Sequence, residues 1–400
     1  MSRPDVALIS PYPVSARHDG RSGVASYSAN LATALAAGGA TVTVVAQDED
    51  GAPRNSSDGE VAIQRAFRLG ATALPRAARA ALSTKAPVVH LQHEFFLYGG
   101  PASVPGLPLA LSAIRAGGAG PVVTMHHGVD IATVDSAFMR LHRVRAPAAL
   151  GRAGLGSVQT MIRRLASRVI VHEPMFTGWI RGATVIPHGL ESAPRDGPSP
   201  SEARRALGLE ERFTVLCLGF VAPYKGLEIA LEAAAGFGDE AQLVVAGGDH
   251  PRLVAASDPY ADRLRAQWSR VARFMGYVPD ADLATLLAAA DVALFPYPTV
   301  FSSSGALALA LAHGKPVLMS PRLTAATGAP PELAVPLHPA RLRSRLRRLA
   351  NDRDELAALA ETTAALGRDR SWAEVARAHL RIYEEVTDAA RASRRLLRAA

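Results

Sequence analysis

One lysine in this sequence stands where a strand, a glycine turn and a helix start follow each other. Residues 213–218 are mostly β-prone and run into Gly219, and a helical pattern begins at Leu227 after a loop that contains Lys225. Backbone N–H groups and the helix dipole can hold an anion there, and a lysine adds a mobile point charge that suits a phosphate or diphosphate. Because only three of the 44 Lys and Arg residues are lysines, we interpret Lys225 as an anion-binding residue. The alternative is a lysine on a tight turn with its ammonium group in water.

A cluster of hydroxyl groups forms a second candidate anion site. Ser302, Ser303 and Ser304 come directly before Gly305, where a helical pattern opens. Three hydroxyl groups and the free N–H groups of a helix start can receive a diphosphate, and Lys225 can reach it from the neighbouring loop. The alternative is that the serines only cap the helix.

Histidines and glycines follow several of the predicted strands. Seven of the twelve histidines lie in these strand-end segments. A single histidine at a strand end more often bonds a loop carbonyl, but this number favours a shared cleft, where the carboxyl ends of parallel strands meet. No spacing of His, Asp and Glu resembles a metal-binding helix, so we predict no metal site. The strand-end residues that we select are Gly23, Val24, His93, Glu94, His126, Gly248 and His250.

Short apolar runs alternate with helical patterns along the chain and would position these residues. Runs of this length separated by helices predict parallel sheets covered on both faces. A polar loop is predicted over residues 47–60, and residues 341–398 are predicted to be helical throughout. The predicted strands are residues 6–9, 41–46, 88–91, 122–125, 169–171 and 184–187, followed by 215–218, 242–246, 273–275, 292–295 and 316–319.

The length and the repeated strand–helix rhythm predict two domains. The chain of 400 residues exceeds what one core usually supports, and the rhythm restarts after a segment rich in proline and glycine. We therefore predict an α/β protein with two doubly wound, Rossmann-like domains that face each other across a cleft. The predicted boundaries are a first domain at 1–190, a linker at 191–202, a second domain at 203–370 and a terminal helix at 371–400.

The composition is ordinary for a soluble protein, with 48% hydrophobic and 20% charged residues. Cys217 is the only cysteine, which excludes intrachain disulfides and a cysteine-based metal site. Residues 292–312 are the longest uncharged stretch, but Pro296 and Pro298 interrupt it, so it does not predict a membrane span. The first residues lead straight into a strand-like run without a signal peptide, and we expect a cytoplasmic protein.

The positive charge is concentrated in a few segments. The net charge is +8, and residues 136–172 contain seven arginines and no acidic residue. Such a patch favours an anionic membrane surface, nucleic acid or an anionic ligand, and no nucleic-acid-binding module accompanies it. We therefore predict no nucleic-acid partner, and contact of residues 136–172 with an anionic membrane at its inner face or with a phosphate-bearing acceptor. The alternative is a solvated helix face whose apolar stripe packs on the core.

Several short motifs, taken in order over nearly the whole chain, resemble those of family 4 glycosyltransferases, which have the GT-B fold. Each motif alone is weak, whereas their order and spacing are specific. A narrower likeness exists to a branch with Gln-His-Glu-Phe and His-Pro motifs, present here at residues 92–95 and 250–251. The matching segments are Gly23–Val24, residues 123–126 with His126, residues 185–189, residues 223–226 with Lys225, residues 274–278, residues 283–292, residues 314–317 and residues 371–372.

The resemblance implies a retaining enzyme that moves a hexose of the mannose or glucose type from a nucleoside diphosphate sugar to a hydroxyl acceptor. It implies a donor of the GDP or UDP type and no obligatory metal or other cofactor. Lys225 would neutralise the departing diphosphate and residues 302–305 would hydrogen-bond it, while His126 would face the sugar. Residues 371–400 would cross back to the first domain. The other implied donor-binding residues are Gly219, Gly248, His250, Tyr277 and Val278, and Gly23, Val24, His93 and Glu94 would lie on the acceptor side.

The sequence departs from the family pattern at two places. Many members carry a Glu-x7-Glu pair, and the corresponding residues here are Phe301 and Leu309. The usual arginine just ahead of the lysine is also missing, with Phe220 and Ala222 in its place. These departures leave two alternatives open: a GT-B relative of other activity, such as a nucleotide-sugar epimerase or a phosphorylase, and a catalytically degenerate protein that binds sugar nucleotides.

Overall fold

The computed structural model describes residues 4–14, 23–95, 97–141, 144–191, 197–249, 254, 257–300 and 302–399. Within these residues the strands form a sheet of eight and a sheet of five. The first sheet contains β1 (Val6–Ile9), β2 (Val42–Gln47), β3 (Asn55–Asp58), β4 (Val61–Phe67), β5 (Val88–His93), β6 (Gly120–Met125), β7 (Arg168–Val171) and β8 (Thr184–Val185). The second contains β9 (Phe213–Leu218), β10 (Ala241–Ala246), β11 (Ala272–Gly276), β12 (Val292–Phe295) and β13 (Val317–Met319).

Apart from the edge strand β3, which pairs antiparallel, the strands of both sheets are parallel, as the apolar runs predict. The strand order is β3-β4-β2-β1-β5-β6-β7-β8 in the first sheet and β11-β10-β9-β12-β13 in the second. The central strands β1, β5 and β12 are buried along their whole length, because helices cover both faces of the sheet. In both sheets the crossovers bring the loops after neighbouring strands to one edge, which is where the selected polar residues lie.

Helices fill the crossovers and the end of the chain. In the first half these are α1 (Gly23–Ala37), α2 (Ala73–Ser83), α3 (Gly106–Ala116), α4 (Ser136–Leu141), α5 (Ala148–Leu165) and α6 (Phe176–Trp179). In the second half they are α7 (Pro200–Ala206), α8 (Leu227–Ala234), α9 (Tyr260–Trp268), α10 (Asp280–Ala289), α11 (Gly305–Ala312), α12 (Pro321–Thr327), α13 (Pro339–Asn351), α14 (Arg353–Gly367) and α15 (Trp372–Ala399). Helix α7 begins at Pro200, inside the range predicted as linker.

Two predictions about local structure are wrong. The polar loop predicted over residues 47–60 contains strand β3, which pairs antiparallel with β4 at the sheet edge. β3 carries no apolar residue, and its backbone pairing gives no hydrophobic signal. The tail is not helical throughout, because it breaks twice. Asp352 accepts hydrogen bonds from the N–H groups of Asp354 and Glu355 and starts α14, and residues 368–371 separate α14 from α15.

The last helix packs on the first sheet. Val375, Ile382 and Val386 of α15 belong to the same buried cluster as Val6 and Val42 of strands β1 and β2. The chain enters α15 where the N–H of Leu190 donates to the carbonyl of Arg370 at 2.6 Å. In the described part of the chain, no helix combines the length and the hydrophobicity that crossing a membrane requires.

Candidate functional site

A cleft of about 980 Å³ lies between the carboxyl ends of the two sheets. Backbone pairing across it joins His127 of the first half to Ser302 of the second. His93 borders a neighbouring pocket instead, and His250 lies outside the described residues. The selected residues that line the cleft are Gly23, Val24, Glu94, His126, Gly219, Lys225, Gly248, Tyr277, Val278, Ser302, Ser303, Ser304 and Gly305.

Lys225 is buried at the second-sheet wall of the cleft rather than solvated on a turn. Neighbouring residues cover its side chain and leave the residue only 9% exposed. Its Nζ donates a hydrogen bond to the Tyr297 hydroxyl at 2.7 Å. The same ammonium group lies 4.0 Å from the centroid of the Tyr297 ring. Burial lowers the pKa of Lys225 to about 7, because water no longer solvates the charged form. An anion bound in the cleft would provide a negative countercharge for this ammonium group.

The glycine after Lys225 fixes the lysine's turn. Gly226 has φ 64°, ends the short 3-10 turn at residues 223–225 and begins α8. A Cβ at this position would collide with the carbonyl oxygen of Pro296. Only glycine combines the left-handed backbone with this close approach, so the turn holds Lys225 against the segment that carries Tyr297.

The serine cluster sits at the N-terminus of α11, next to the lysine. Ser304 is the N-cap, and its Oγ accepts a hydrogen bond from the N–H of Leu307 at 3.2 Å. The Tyr297 hydroxyl lies 3.2 Å from the same Oγ, so Lys225, Tyr297 and Ser304 form a continuous chain of contacts. Among the described residues, the buried Oγ of Ser303 makes no hydrogen bond of ordinary geometry, although it interacts with the Glu173 carboxyl group. This hydroxyl, a helix start and a buried ammonium group together make a site for an anion.

His126 on the opposite wall contacts polar side chains at both ring nitrogens. Its Nε2 lies 2.8 Å from the Gln92 side-chain oxygen, and its Nδ1 lies 3.3 Å from Nε2 of His172. Nε2 of Gln92 lies 3.2 Å from Nε2 of His90, and Nδ1 of His90 contacts the Tyr383 hydroxyl of α15 at 2.7 Å. These contacts fix the imidazole plane at the cleft and link it to the terminal helix.

The histidines of this network are neutral. Burial lowers the pKa of His126 well below its ordinary value, and the neighbouring His172 lowers it further. Burial also lowers the pKa of His172 to about 3, and its Nδ1 donates to the carbonyl of Ile186. His126 therefore offers the cleft a neutral, oriented imidazole edge rather than a second cation.

Two residues near the serines were not among those selected from the sequence. Tyr297 joins the lysine to Ser304, but a tyrosine in an apolar run carries no motif. Glu173 is 3% exposed, and burial raises its pKa to about 7, opposed by the charge of Arg370 and by Ser303. Glu173 follows His172 directly at the end of β7, so the strand-end pattern that selected the other residues could have found it. No group of three metal-ligating side chains occurs among the residues the structure describes.

Comparison with protein families finds a match that lies within the second half of the chain. Residues 212–352 match the model of the family described as glycosyl transferases group 1. This range contains Lys225, Tyr297 and Ser302 to Gly305, which lie on one wall of the cleft. A search of curated proteins by sequence found no match.

Solved structures resemble the chain over almost its whole length. The sucrose-phosphate synthase of Thermosynechococcus elongatus has 20% identity and a TM-score of 0.70, over 97% of this chain and 100% of that chain. HepE of Anabaena, solved in complex with UDP-glucose, has 16% identity and a TM-score of 0.66 over 95% and 99%. The catalytic domain of starch synthase IV from Arabidopsis thaliana, bound to ADP and acarbose, has 14% identity and a TM-score of 0.66 over 97% and 100%. The expected GT-B fold is confirmed.

Proposed function

We propose that this chain, a GT-B protein whose residues 212–352 are a glycosyl transferases group 1 domain, moves a hexose from a nucleoside diphosphate sugar to a hydroxyl acceptor with retention of configuration. The observation that carries the proposal is the buried Lys225 beside the buried Ser303 hydroxyl and the N-terminus of α11. A diphosphate matches this set of groups, since it accepts several charge-assisted hydrogen bonds at once.

The groups on this wall, Lys225 and the N–H groups of α11, are suited to stabilising a leaving group. When the bond from the sugar to the diphosphate breaks, negative charge grows on the departing phosphate oxygen. A protonated Lys225 and the N–H groups of α11 would lie against that charge in a site shielded from water, where such stabilisation is strongest. Binding of the diphosphate raises the pKa of Lys225 again, so the lysine is charged when the donor is present.

His126, Glu94 and the loop at Gly23 and Val24 form the wall opposite the lysine. We propose that the acceptor enters along this wall and that His126 faces the sugar being transferred. Gln92 and His172 contact both nitrogens of the neutral imidazole, so its role would be to hold the wall in one orientation against the sugar. Gly219, Gly248, Tyr277 and Val278 would contact the rest of the donor on the lysine side.

We propose that the donor is a sugar of the mannose or glucose type linked to GDP or UDP. Support comes from the sequence motifs and from the UDP-glucose complex of HepE. The test is release of nucleoside diphosphate from a panel of UDP-, GDP-, ADP- and TDP-sugars, with and without alcohol acceptors. Transfer to an acceptor from one donor supports the proposal. An epimerase would interconvert the donor sugar without releasing the nucleotide, and a degenerate binding protein would bind it without turnover.

Separate alanine variants distinguish the two serines. Ser304→Ala removes a helix N-cap and should lower the free energy of unfolding by about 1 kcal/mol. Ser303→Ala removes a hydroxyl that caps no helix, so it should lower stability less than Ser304→Ala does, while affinity for the nucleoside diphosphate falls about tenfold. Titration calorimetry with the diphosphate and the monophosphate of the same base measures this. Equal losses for both ligands would mean that Ser303 does not touch the diphosphate.

We also propose that the basic segment at residues 136–172 contacts an anionic membrane. Val158 and Ile162 of its apolar stripe are buried in the core, so the contact would come from the exposed arginines, among them Arg163 and Arg164. Each arginine near an anionic surface adds about 1 kcal/mol. The protein should sediment with anionic vesicles at low salt and be released at high salt, and Arg163→Glu with Arg164→Glu should weaken binding. A protein that stays in the supernatant at low salt contradicts this proposal.

A further inference from the structure

A second, apolar pocket of about 200 Å³ lies beside the cleft. The loop after β5 and helices α3, α4 and α5 enclose it, and its walls include Leu107, Phe138, Met139, Leu155 and Val158. Protein interiors rarely keep voids larger than a water molecule. An apolar space of this size is large enough to hold a small apolar group.

The pocket is continuous with the acceptor wall of the cleft. Glu94, Phe95 and Leu97 line both spaces, so a ligand can lie in both at once. At its other side the pocket includes Leu150, which is 63% exposed. The pocket therefore extends from the cleft towards the protein surface.

Gly154 in the middle of α5 lines the pocket at a side that is exposed to solvent. Gly151 has a packing reason, because a Cβ there would collide with the sulfur of Met139. Gly154, one turn later, also lines the pocket, but a Cβ built on it meets no atom within 4 Å. Glycine is less favourable than alanine inside a helix. No neighbouring atom requires a glycine at position 154, and the lack of a side chain there leaves space for a ligand.

Apart from Glu94, the polar side chains that line the pocket are uncharged. The Tyr98 hydroxyl donates to the backbone carbonyls of Ile9 and Gln92, and the Ser103 hydroxyl donates to the carbonyl of Gly100. Burial lowers the pKa of His93 to about 4, so this ring is neutral. Glu94 lies at the junction with the cleft. The interior therefore suits an uncharged, apolar group.

We propose that this pocket binds the alkyl chain of the acceptor, whose hydroxyl group then lies in the cleft near Glu94 and His126. The inference rests on the proposed function and names its acceptor class, an amphiphile with a polar hydroxyl-bearing head and an apolar chain. An apolar cavity of about 150 Å³ holds a benzene ring, so this pocket holds a chain of about eight carbon atoms. Longer chains would continue past Leu150 to the surface.

Binding of alkyl glucosides of increasing length tests the proposal. Butyl, hexyl, octyl and decyl β-glucosides, each below its micelle concentration, are titrated into the full chain by calorimetry. Affinity should rise about fourfold for each buried methylene and level off after about eight carbons. Gly154→Leu fills the pocket with a good helix former and should abolish the dependence on chain length. Ala146→Leu, which fills the pocket from another wall, should do the same.

Gly156→Leu is the matched control on the same helix. Gly156 does not line the pocket, and a Cβ there comes no closer than 4.0 Å to Ile131, so the parent behaviour should persist. Affinity independent of chain length, or equal in all four proteins, overturns the proposal. Dimerisation of the parent that Gly154→Leu abolishes would show that a second copy fills the pocket and would also overturn it. Nucleoside diphosphate binding is titrated separately, so failure of the donor site is not confused with failure of the pocket.

Discussion

Lys225→Met lowers the rate of sugar transfer by about a hundredfold or more, while the folded protein becomes more stable. The loss of rate follows because a charge that stabilises a departing anion in a shielded site is worth several kcal/mol. The gain in stability follows because burial has lowered the pKa of Lys225 to about 7. A buried ammonium group costs free energy that a methionine of similar length does not. Steady-state kinetics and urea unfolding of the same preparation measure both effects.

Lys315→Met provides the control for the lysine prediction. Lys315 also donates a hydrogen bond, from its Nζ to the carbonyl of Ala290 at 2.9 Å, but it lies outside the lining of the cleft. Its replacement should leave transfer within about twofold of the parent, since no charge at the leaving group is removed. Turnover of Lys225→Met within about threefold of the parent would show that Lys225 does not stabilise the leaving group.

Lowering the pH from 7 to 5 removes at least about 4 kcal/mol from the free energy of unfolding, since the lowered pKa values of His90 and His126 add to the effect of three other histidines. Burial lowers the pKa of His93 and His379 to about 4 and that of His172 to about 3, against about 6.5 in the unfolded chain. Between these values the unfolded state binds more protons, so stability is full above pH 6.5 and is lost as the pH falls. Each histidine removes about 2 kcal/mol at pH 5. Glu173, whose pKa is raised to about 7, binds a proton more readily in the folded state. Over the same pH range it therefore raises the free energy of unfolding by about 2 kcal/mol.

His379→Leu isolates one of these contributions. His379 Nδ1 donates to the carbonyl of Val375 in its own helix, and its buried Nε2 has no partner among the described residues. A leucine fits such an apolar site and does not titrate. The loss of stability between pH 7 and pH 5, measured by urea unfolding, should shrink by about 2 kcal/mol. The same variant at the exposed His338 is the control, and an unchanged loss in His379→Leu would contradict the prediction.

The sequence predicted the fold and one wall of the cleft because both depend on short local patterns. The run at residues 292–295 is apolar along its whole length, and the run at residues 213–218 is apolar except for Thr214 and is followed by Gly219. The position of Lys225 could be predicted because a strand, a glycine turn and a helix start determine it locally. The edge strand β3 could not be predicted, since Asn55 to Asp58 pair only through the backbone with β4.

The remaining parts of the site depend on contacts between distant segments. Tyr297 lies 72 positions from Lys225 in the sequence, and Tyr383 lies 293 positions from His90, so no spacing rule relates them. The apolar pocket is a space between several helices beside Gly154, and the three glycines at residues 151–156 do not by themselves show where these helices pack. These features arise from tertiary packing, which local patterns do not encode.

Binding of nucleoside diphosphates to the parent and to Lys225→Met tests the central claim most directly. Thermal melting is measured with UDP, GDP, ADP and TDP, each at saturating concentration. One of them should stabilise the parent by about 2.7 kcal/mol at 100 times its dissociation constant, and the same concentration should stabilise Lys225→Met far less. If none of the four shifts the parent, or if the shift is the same in Lys225→Met, the cleft beside Lys225 does not bind a nucleoside diphosphate and the proposed function is wrong.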